Sequence, residues 1–509
     1  MSDSKYGDLD NFDVENDDIF NGYEDFFTET NSISEQNNVN RSRQYRPKRK
    51  IRKRTRNRLA ICSIAVLLVV AIVVGLVGCV NMSIKLANAN ANVQNAEMSQ
   101  SAEELKVEQT LKKAMLAAAQ YDYDTAIADI KGMTDYSKSS ELQAMVTKWE
   151  DDKANLVEYP HEEITHVFFH SLVCEPELAF DKDKGNKADA YNLVMTTVDE
   201  FNKIIDEMYK KGYVMVSMHD ICTFDEQGNR VDHKIMLPKG KKAFVLSQDD
   251  LNYYHTQDGD GIPTKLIFDE NGKVKTEYKK LDGETKVGDF DVVPIIDSFV
   301  EKHPDFSYKG HKGIIALTGY NGVLGYRTDS VYKTHQDLDT DQAAFLEANP
   351  DFNYEQEVAE AKKVAEAMKA TGWEFASHTW GHISVPSMSM ERLGVDHGKW
   401  KSYVASIVGP TDVMIYPNGS DIAGIDEYTF DNERFSYLYD EGFRIFCPVD
   451  SAQYWQQKGE NYFRMGRRNL DGYRMYHDPE LLEDLFDSKE ILDPKRPTPV
   501  PTMEEVYGS

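Results

Sequence analysis

The apolar residues of this chain follow three different patterns in succession. Residues 1–40 show no apolar period and carry 11 acidic side chains against one base, Lys5. Such a segment cannot bury enough apolar surface to fold, so disorder is expected. Residues 41–58 (RSRQYRPKRKIRKRTRNR) then hold 11 Lys or Arg and no acid, and Leu59 to Val80 is an unbroken run of 22 residues without a charge. At 1.5 Å per residue that run is about 33 Å long as a helix, roughly a hydrocarbon core. It predicts a single transmembrane helix over 59–80. Basic flanks stay on the cytoplasmic side, so 1–58 is expected to be a cytoplasmic tail and everything after Val80 extracellular. Leu76-Val77-Gly78-Cys79 also matches a bacterial lipobox, in which Cys79 would carry the lipid. Either way the bilayer is the expected partner of 59–80.

Beyond the membrane the period becomes helical. Leu111, Met115 and Ala118 share a face; Tyr123, Ala126, Ile127 and Ile130 follow at helical spacing, as do Leu142, Met145, Val146 and Trp149, with Ser139 and Ser140 placed to cap. Residues 81–158 are therefore expected to form a helical stalk similar to a tetratricopeptide hairpin, too short for an array. It would serve as a spacer or bind a protein partner.

From 159 onward short apolar runs replace the helical stripes. They are Val167–Phe169, Tyr213–Val216, Ala243–Leu246, Ile314–Leu317, Val413–Tyr416 and Phe443–Phe446. Runs that do not alternate belong to strands covered on both faces. Amphipathic stripes lie between them, such as Val198, Phe201, Ile205 and Met208. Alternating strands and helices predict a parallel α/β fold over 159–483, whose chemistry gathers where strands end. Residues 484–509 read as a Pro-rich acidic tail.

Composition narrows the function. The net charge is -28, which argues against nucleic acid as a partner. Cys174, Cys222 and Cys447 are an odd, widely spaced set outside the membrane, consistent with free thiols.

Three segments at strand ends carry candidate chemistry. Ser247-Gln248-Asp249-Asp250 puts two carboxylates side by side. Left unpaired in a protein interior they are costly, and an ion or a shared proton relieves this. His378-Thr379-Trp380-Gly381-His382 spaces two imidazoles by four, which on a helical turn would aim both at one ion. Tyr416-Pro417-Asn418-Gly419 is a tight turn whose N–H groups suit an oxyanion.

Taken in this order the segments resemble the polysaccharide deacetylase family, the NodB homology domain of metal-dependent carbohydrate esterases. Ser247–Asp250 matches its T-F-D-D motif, His378–His382 its H-S/T-x-x-H motif, and Ile415–Asn418 its R-x-P-Y motif. Phe169-His170-Ser171-Leu172 is similar to its opening segment. The resemblance implies a distorted (β/α) barrel. It implies a divalent ion, zinc with cobalt or another transition metal as substitutes, held by Asp250, His378 and His382. It gives Asp249 the role of base, the Asn418 turn that of oxyanion donor, and a late His, here His477, that of acid.

The chain departs from the pattern in three places. Asp250 and His378 are 128 positions apart, which requires an insertion near 252–310. Leu251 replaces the usual Gly. Ile415 stands where the family has the Arg that orients the base, leaving Arg464, Arg467 or Arg468 as substitutes. Asp258-Gly259-Asp260-Gly261 looks like a calcium loop but has Ile267 at the twelfth position, so an ordinary loop is expected. The implied function is removal of N-acetyl groups from cell-wall or surface polysaccharide. An O-acetyl esterase and a catalytically silent glycan-binding or scaffold protein are the alternatives.

Overall fold

A computed structural model describes residues 102–450 and 452–508. The expected cytoplasmic tail, the 59–80 span and Cys79 lie outside the described residues. Among the described residues no helix is long and apolar enough to cross a membrane.

Nine parallel strands and one antiparallel edge strand make a single curled sheet. In spatial order they are Gln456–Lys458 (the antiparallel edge), Phe463–Met465, Ile445–Cys447, Val413–Ile415, Glu374–Ser377, Ile314–Leu317, Lys242–Asp249, Thr165–Phe169 and Arg467–Asn469. Tyr213–Met215 pairs with the first half of Lys242–Asp249. The Phe463–Met465 and Arg467–Asn469 strands sit toward opposite ends of this order yet are halves of one segment, separated only by Gly466. The sheet therefore curls round as an open barrel.

The continuous apolar runs are explained by burial on both faces. Ala243, Val245, Ile314, Ala316, Val413 and Ile415 pack inside the curl. Their neighbours Phe244, Leu246, Ile315 and Leu317 pack outward against the helix layer. That layer includes the helix Val198–Lys210, started by a Thr197–Glu200 capping box.

The helical segment is not a free stalk. Helices Ala102–Ala119, Tyr123–Lys131 and Ser140–Ala154 share a small core of their own. The turn between the first two helices lies against the barrel. Tyr121 packs into the interior cluster at the end where the strands begin, and its hydroxyl donates to the Asp305 carbonyl at 2.9 Å. Lys309 N–H donates to the Gln120 carbonyl at 2.8 Å.

The insertion is ordered: strands Lys265–Phe268, Val274–Lys279 and Thr285–Gly288 form a small antiparallel sheet. Asp260 accepts from Tyr191 at 2.8 Å and pairs with Lys184 and Lys187, so its carboxylate is already engaged. The C-terminal residues are docked, not loose. Leu485, Phe486, Ile491 and Val500 are buried, because every few residues the Pro-rich stretch supplies an apolar side chain to the barrel wall. Cys174, Cys222 and Cys447 are free thiols, as expected.

At the end where strands begin, His219 sits between Glu374 (Nδ1, 3.1 Å) and Asp412 (Nε2, 2.9 Å). Burial opposes its charge, but hydrogen bonds and attraction from Asp412 and Glu374 outweigh it and raise the pKa to about 10. A raised folded pKa stabilises fully below the ordinary value near 6.5, declines above it, and is gone once the pH passes about 10. Solvent screening limits the effect to about 1–2 kcal/mol. Urea melts of wild type and His219→Gln should therefore differ by about that amount at pH 6 and converge near pH 10.5.

Candidate active site

Strand register brings the three motif segments to one rim. Ala316 pairs with Asp249, Leu317 with Ser377, and Ile415 with Cys447, so the loops that follow leave the barrel at the same level. The opening strand pairs Phe169 with Gln248, which adds His170 to that rim.

Each loop turns through a left-handed residue. Asp250 has φ 56°, Thr379 φ 56°, His382 φ 52° and Asn418 φ 55°. Such conformations disfavour residues with a Cβ, a branched Thr above all, and persist where surrounding contacts enforce them. Here the contacts are visible. The Asp396 carboxylate accepts from Trp380 N–H at 2.7 Å and from Gly381 N–H at 2.8 Å, folding the histidine loop back on itself. Gly319 lies so close to the Trp380 ring that a Cβ there would collide with it. The helical turn expected for His378–His382 is absent. The two imidazoles meet instead across this loop, with ring centroids 5.0 Å apart.

Asp250, His378 and His382 each offer a ligand atom, all within 4.8 Å of one another. The His378 Nδ1 is 2.7 Å from the Ile415 carbonyl. That bond places the Nδ1 proton and leaves Nε2 with a lone pair for a ligand. Tyr254 donates its hydroxyl to one Asp250 oxygen at 2.7 Å, while the other oxygen is 3.7 Å from His382 Nε2. Burial pushes His382 down to about 4, against the pull of Asp250, which keeps its ring neutral at physiological pH. Two imidazoles and one carboxylate, each oriented by a neighbour, are a donor set that fits a divalent ion of the zinc class.

Asp249 lies beside this trio, 3.9 Å from His378 Nε2, and is almost fully buried. Burial alone would raise its pKa. The Arg467 guanidinium, with the His378 and His170 charges, outweighs that and holds it at about 2. Arg467 Nη1 donates to both carboxylate oxygens, at 2.7 and 2.9 Å. Of the three arginines left open by the sequence, Arg467 is the one that pairs with Asp249. Arg464 pairs with Asp421 and Arg468 with Asp484.

Asn418 is exposed on the turn after Val413–Ile415, on the rim with the other motifs. His477 ends the helix Gly472–His477; its Nε2 is 2.9 Å from the Val500 carbonyl and its ring lies against Tyr473 and Tyr476. The histidine that stands on the rim beside Asp249 is His170, directly after the strand Thr165–Phe169. In the sequence His170 stands out only as part of the opening segment. Its place at the end of a strand was the available signal.

Comparison with known proteins finds a family match over part of the chain. The polysaccharide deacetylase model matches residues 311–432, which contain the histidine loop and the Tyr416 turn. The Streptococcus pyogenes deacetylase PplD, solved in complex with acetate, aligns at 14% identity over 64% of this chain and 97% of its own, with a TM-score of 0.32. BA0330 of Bacillus anthracis, described as a polysaccharide deacetylase, aligns at 10% identity over 60% of this chain and 64% of its own, with a TM-score of 0.29. No curated protein matches the chain.

Proposed function

We propose that this chain, with its polysaccharide deacetylase domain, is a membrane-anchored, extracellular, metal-dependent hydrolase that removes N-acetyl groups from a cell-wall or surface polysaccharide. The observation that carries the reading is Asp249: a buried carboxylate kept ionised by Arg467, next to three converging metal-type ligands. Such an arrangement has no use in holding the fold together that an apolar residue would not serve better.

The roles follow from position. Asp250, His378 and His382 would hold the ion, which when bound acidifies water and polarises an acyl carbonyl. Asp249 accepts a proton from the attacking water. The Asn418 N–H, at the turn beside the site, faces the oxyanion that forms at the carbonyl carbon. His170 donates a proton to the amide nitrogen as the C–N bond breaks, giving acetate and a free amine. Catalytic silence would follow from a base without its arginine, and Arg467 supplies one. The anchor at 59–80 and the extracellular placement rest on the apolar run and its basic flank.

Acetate release by the full-length chain, with zinc or cobalt, from N-acetylated chitooligosaccharide and from purified cell wall tests the reading. An O-acetylated glycan in parallel distinguishes the ester alternative. No acetate from any of the three, with folded and metal-loaded protein, would overturn it. His170→Ala is expected to lower the rate on an acetamide about 100-fold, with the metal still bound; His477→Ala is expected to leave it within about twofold. The reverse ranking would return the acid role to His477.

A further inference from the structure

The segment immediately beside His170 is held by residues from the far C-terminus. His170 Nδ1 lies 3.2 Å from the carbonyl of Val194, the last residue of the helix Asn186–Val194. The link from there to the next helix, Met195–Thr197, and the helix end before it are held in part by the C-terminal segment. Arg496 Nη1 donates to the Asn192 carbonyl at 2.7 Å and to its side-chain oxygen at 3.0 Å. Arg496 Nη2 donates to the Met195 carbonyl at 2.8 Å. Nε and Nη2 also hold Glu200, at 2.7 and 2.5 Å. Both side chains of this ion pair are 0% exposed.

Neighbouring bonds close the arrangement. Asp493 N–H donates to Glu200 at 3.0 Å, and Thr197 donates its hydroxyl to the Asp493 carboxylate at 3.0 Å. Asn192 donates to the Pro497 carbonyl at 3.0 Å. Thr196 also donates to the Leu470 carbonyl at 2.6 Å. Gly472 packs so tightly on the Asn192 carbonyl and the Arg496 guanidinium that a Cβ would not fit.

We propose that the C-terminal segment 488–500, through Arg496 and Glu200, is a strap that positions His170 for proton donation; this deepens, and rests on, the reading of His170 as the acid. The strap fixes the backbone on both sides of the Val194 carbonyl that meets the ring, through Asn192 and Met195, and packs on Gly472. A carbonyl held at Nδ1 keeps that nitrogen protonated, so the second proton, taken up to form the imidazolium, is carried on Nε2 and is the one transferred. A fully buried ion pair is a poor source of net stability, and its best use is to impose one geometry. The planar guanidinium reaches two carbonyls and a carboxylate together, which a lysine cannot do. Arg496 and Glu200 are thus positioning residues.

The test exploits the leaving group. An acetamide needs its nitrogen protonated, whereas p-nitrophenolate leaves from p-nitrophenyl acetate without an acid. In the full-length, metal-loaded chain, Arg496→Lys is expected to lower kcat on N-acetylated chitooligosaccharide about tenfold with KM unchanged, a loss consistent with a small misplacement of the acid. It should leave p-nitrophenyl acetate hydrolysis and metal content as in wild type. In a His170→Ala background it should cause no further loss. Equal loss on both substrates, or the same loss with His170 absent, would mean the strap only stabilises the fold. Wild-type rates on both substrates would also overturn the proposal. Glu200→Gln/Arg496→Met, which removes both charges and leaves neither orphaned, gives the same reading if Arg496→Lys does not fold. His170→Ala with wild-type acetamide turnover would instead sink the assignment of the acid itself.

Discussion

Replacing Asp249 with Asn is expected to cut turnover of an N-acetylated glycan about 1000-fold while the protein still takes up its metal ion. The carboxylate is not among the three converging ligands, so its loss leaves Asp250, His378 and His382 in place. What disappears is the group that accepts a proton. Asparagine keeps the shape and can still accept from Arg467, but it has no basic oxygen. The pH dependence separates this base from an ordinary carboxylate. Asp249 has a depressed pKa of about 2, so in the folded protein it is ionised above that, and its contribution to stability is full above the ordinary value near 3.8, declines below it and is gone once the pH falls past about 2. The acid limb of the activity profile should therefore not be set by Asp249. Rate measurements from pH 4 to 9, with metal content determined on the same samples, check both points. Retained turnover in Asp249→Asn would remove the base role, and loss of metal would make Asp249 a ligand.

The second large effect is expected at the ion. His378→Ala should weaken metal binding by more than about 100-fold, since even residues that only orient a ligand change affinity by about 10- to 100-fold. Activity should vanish at stoichiometric metal. The mechanism is specific to this side chain. The Ile415 carbonyl holds Nδ1, and Nε2 faces Asp249 and the other ligands. Alanine removes a preset donor that no neighbour replaces. Removing the metal from wild type with a chelator should mimic the variant in activity. It should also lower the melting temperature, because a ligand present at 100 times its Kd stabilises by about 2.7 kcal/mol. A chelated protein with unchanged activity and unchanged melting would dismiss a metal at this site.

Much of the site is legible in the sequence. Asp249, Asp250, His378, His382 and the Tyr416 turn all sit directly after apolar runs, and a parallel α/β sheet brings strand ends to one rim. What the sequence could not disclose were the partners supplied by distant parts of the chain. Arg467 meets Asp249 across 218 positions, from a strand that reads as charged and therefore unlike a core strand. Its burial makes sense only beside Asp249, and the vacancy at Ile415 predicted an arginine without identifying it. The spacing of His378 and His382 suggested a helical turn. The chain instead uses a loop with two left-handed residues pinned by Asp396, because hydrogen bonds to Trp380 and Gly381 outweigh local preference.

The C-terminal residues show the same division. Their Pro-rich, acidic composition suggested a loose tail, yet Arg496 and Glu200 are fully buried against each other. Composition averages over a segment, whereas docking depends on which residues find partners: buried apolar side chains such as Phe486 and Ile491, and a charge whose partner is 296 residues away. By itself the sequence determined the membrane-like run, the alternation of strands and helices, and the identity of the motif residues, because each depends on short-range pattern. Only the tertiary structure decided which arginine pairs with Asp249, which further histidine shares its rim and what holds the backbone beside that histidine. Those choices depend on which distant side chains closure of the sheet brings within a few ångströms, where burial makes a charge need its partner.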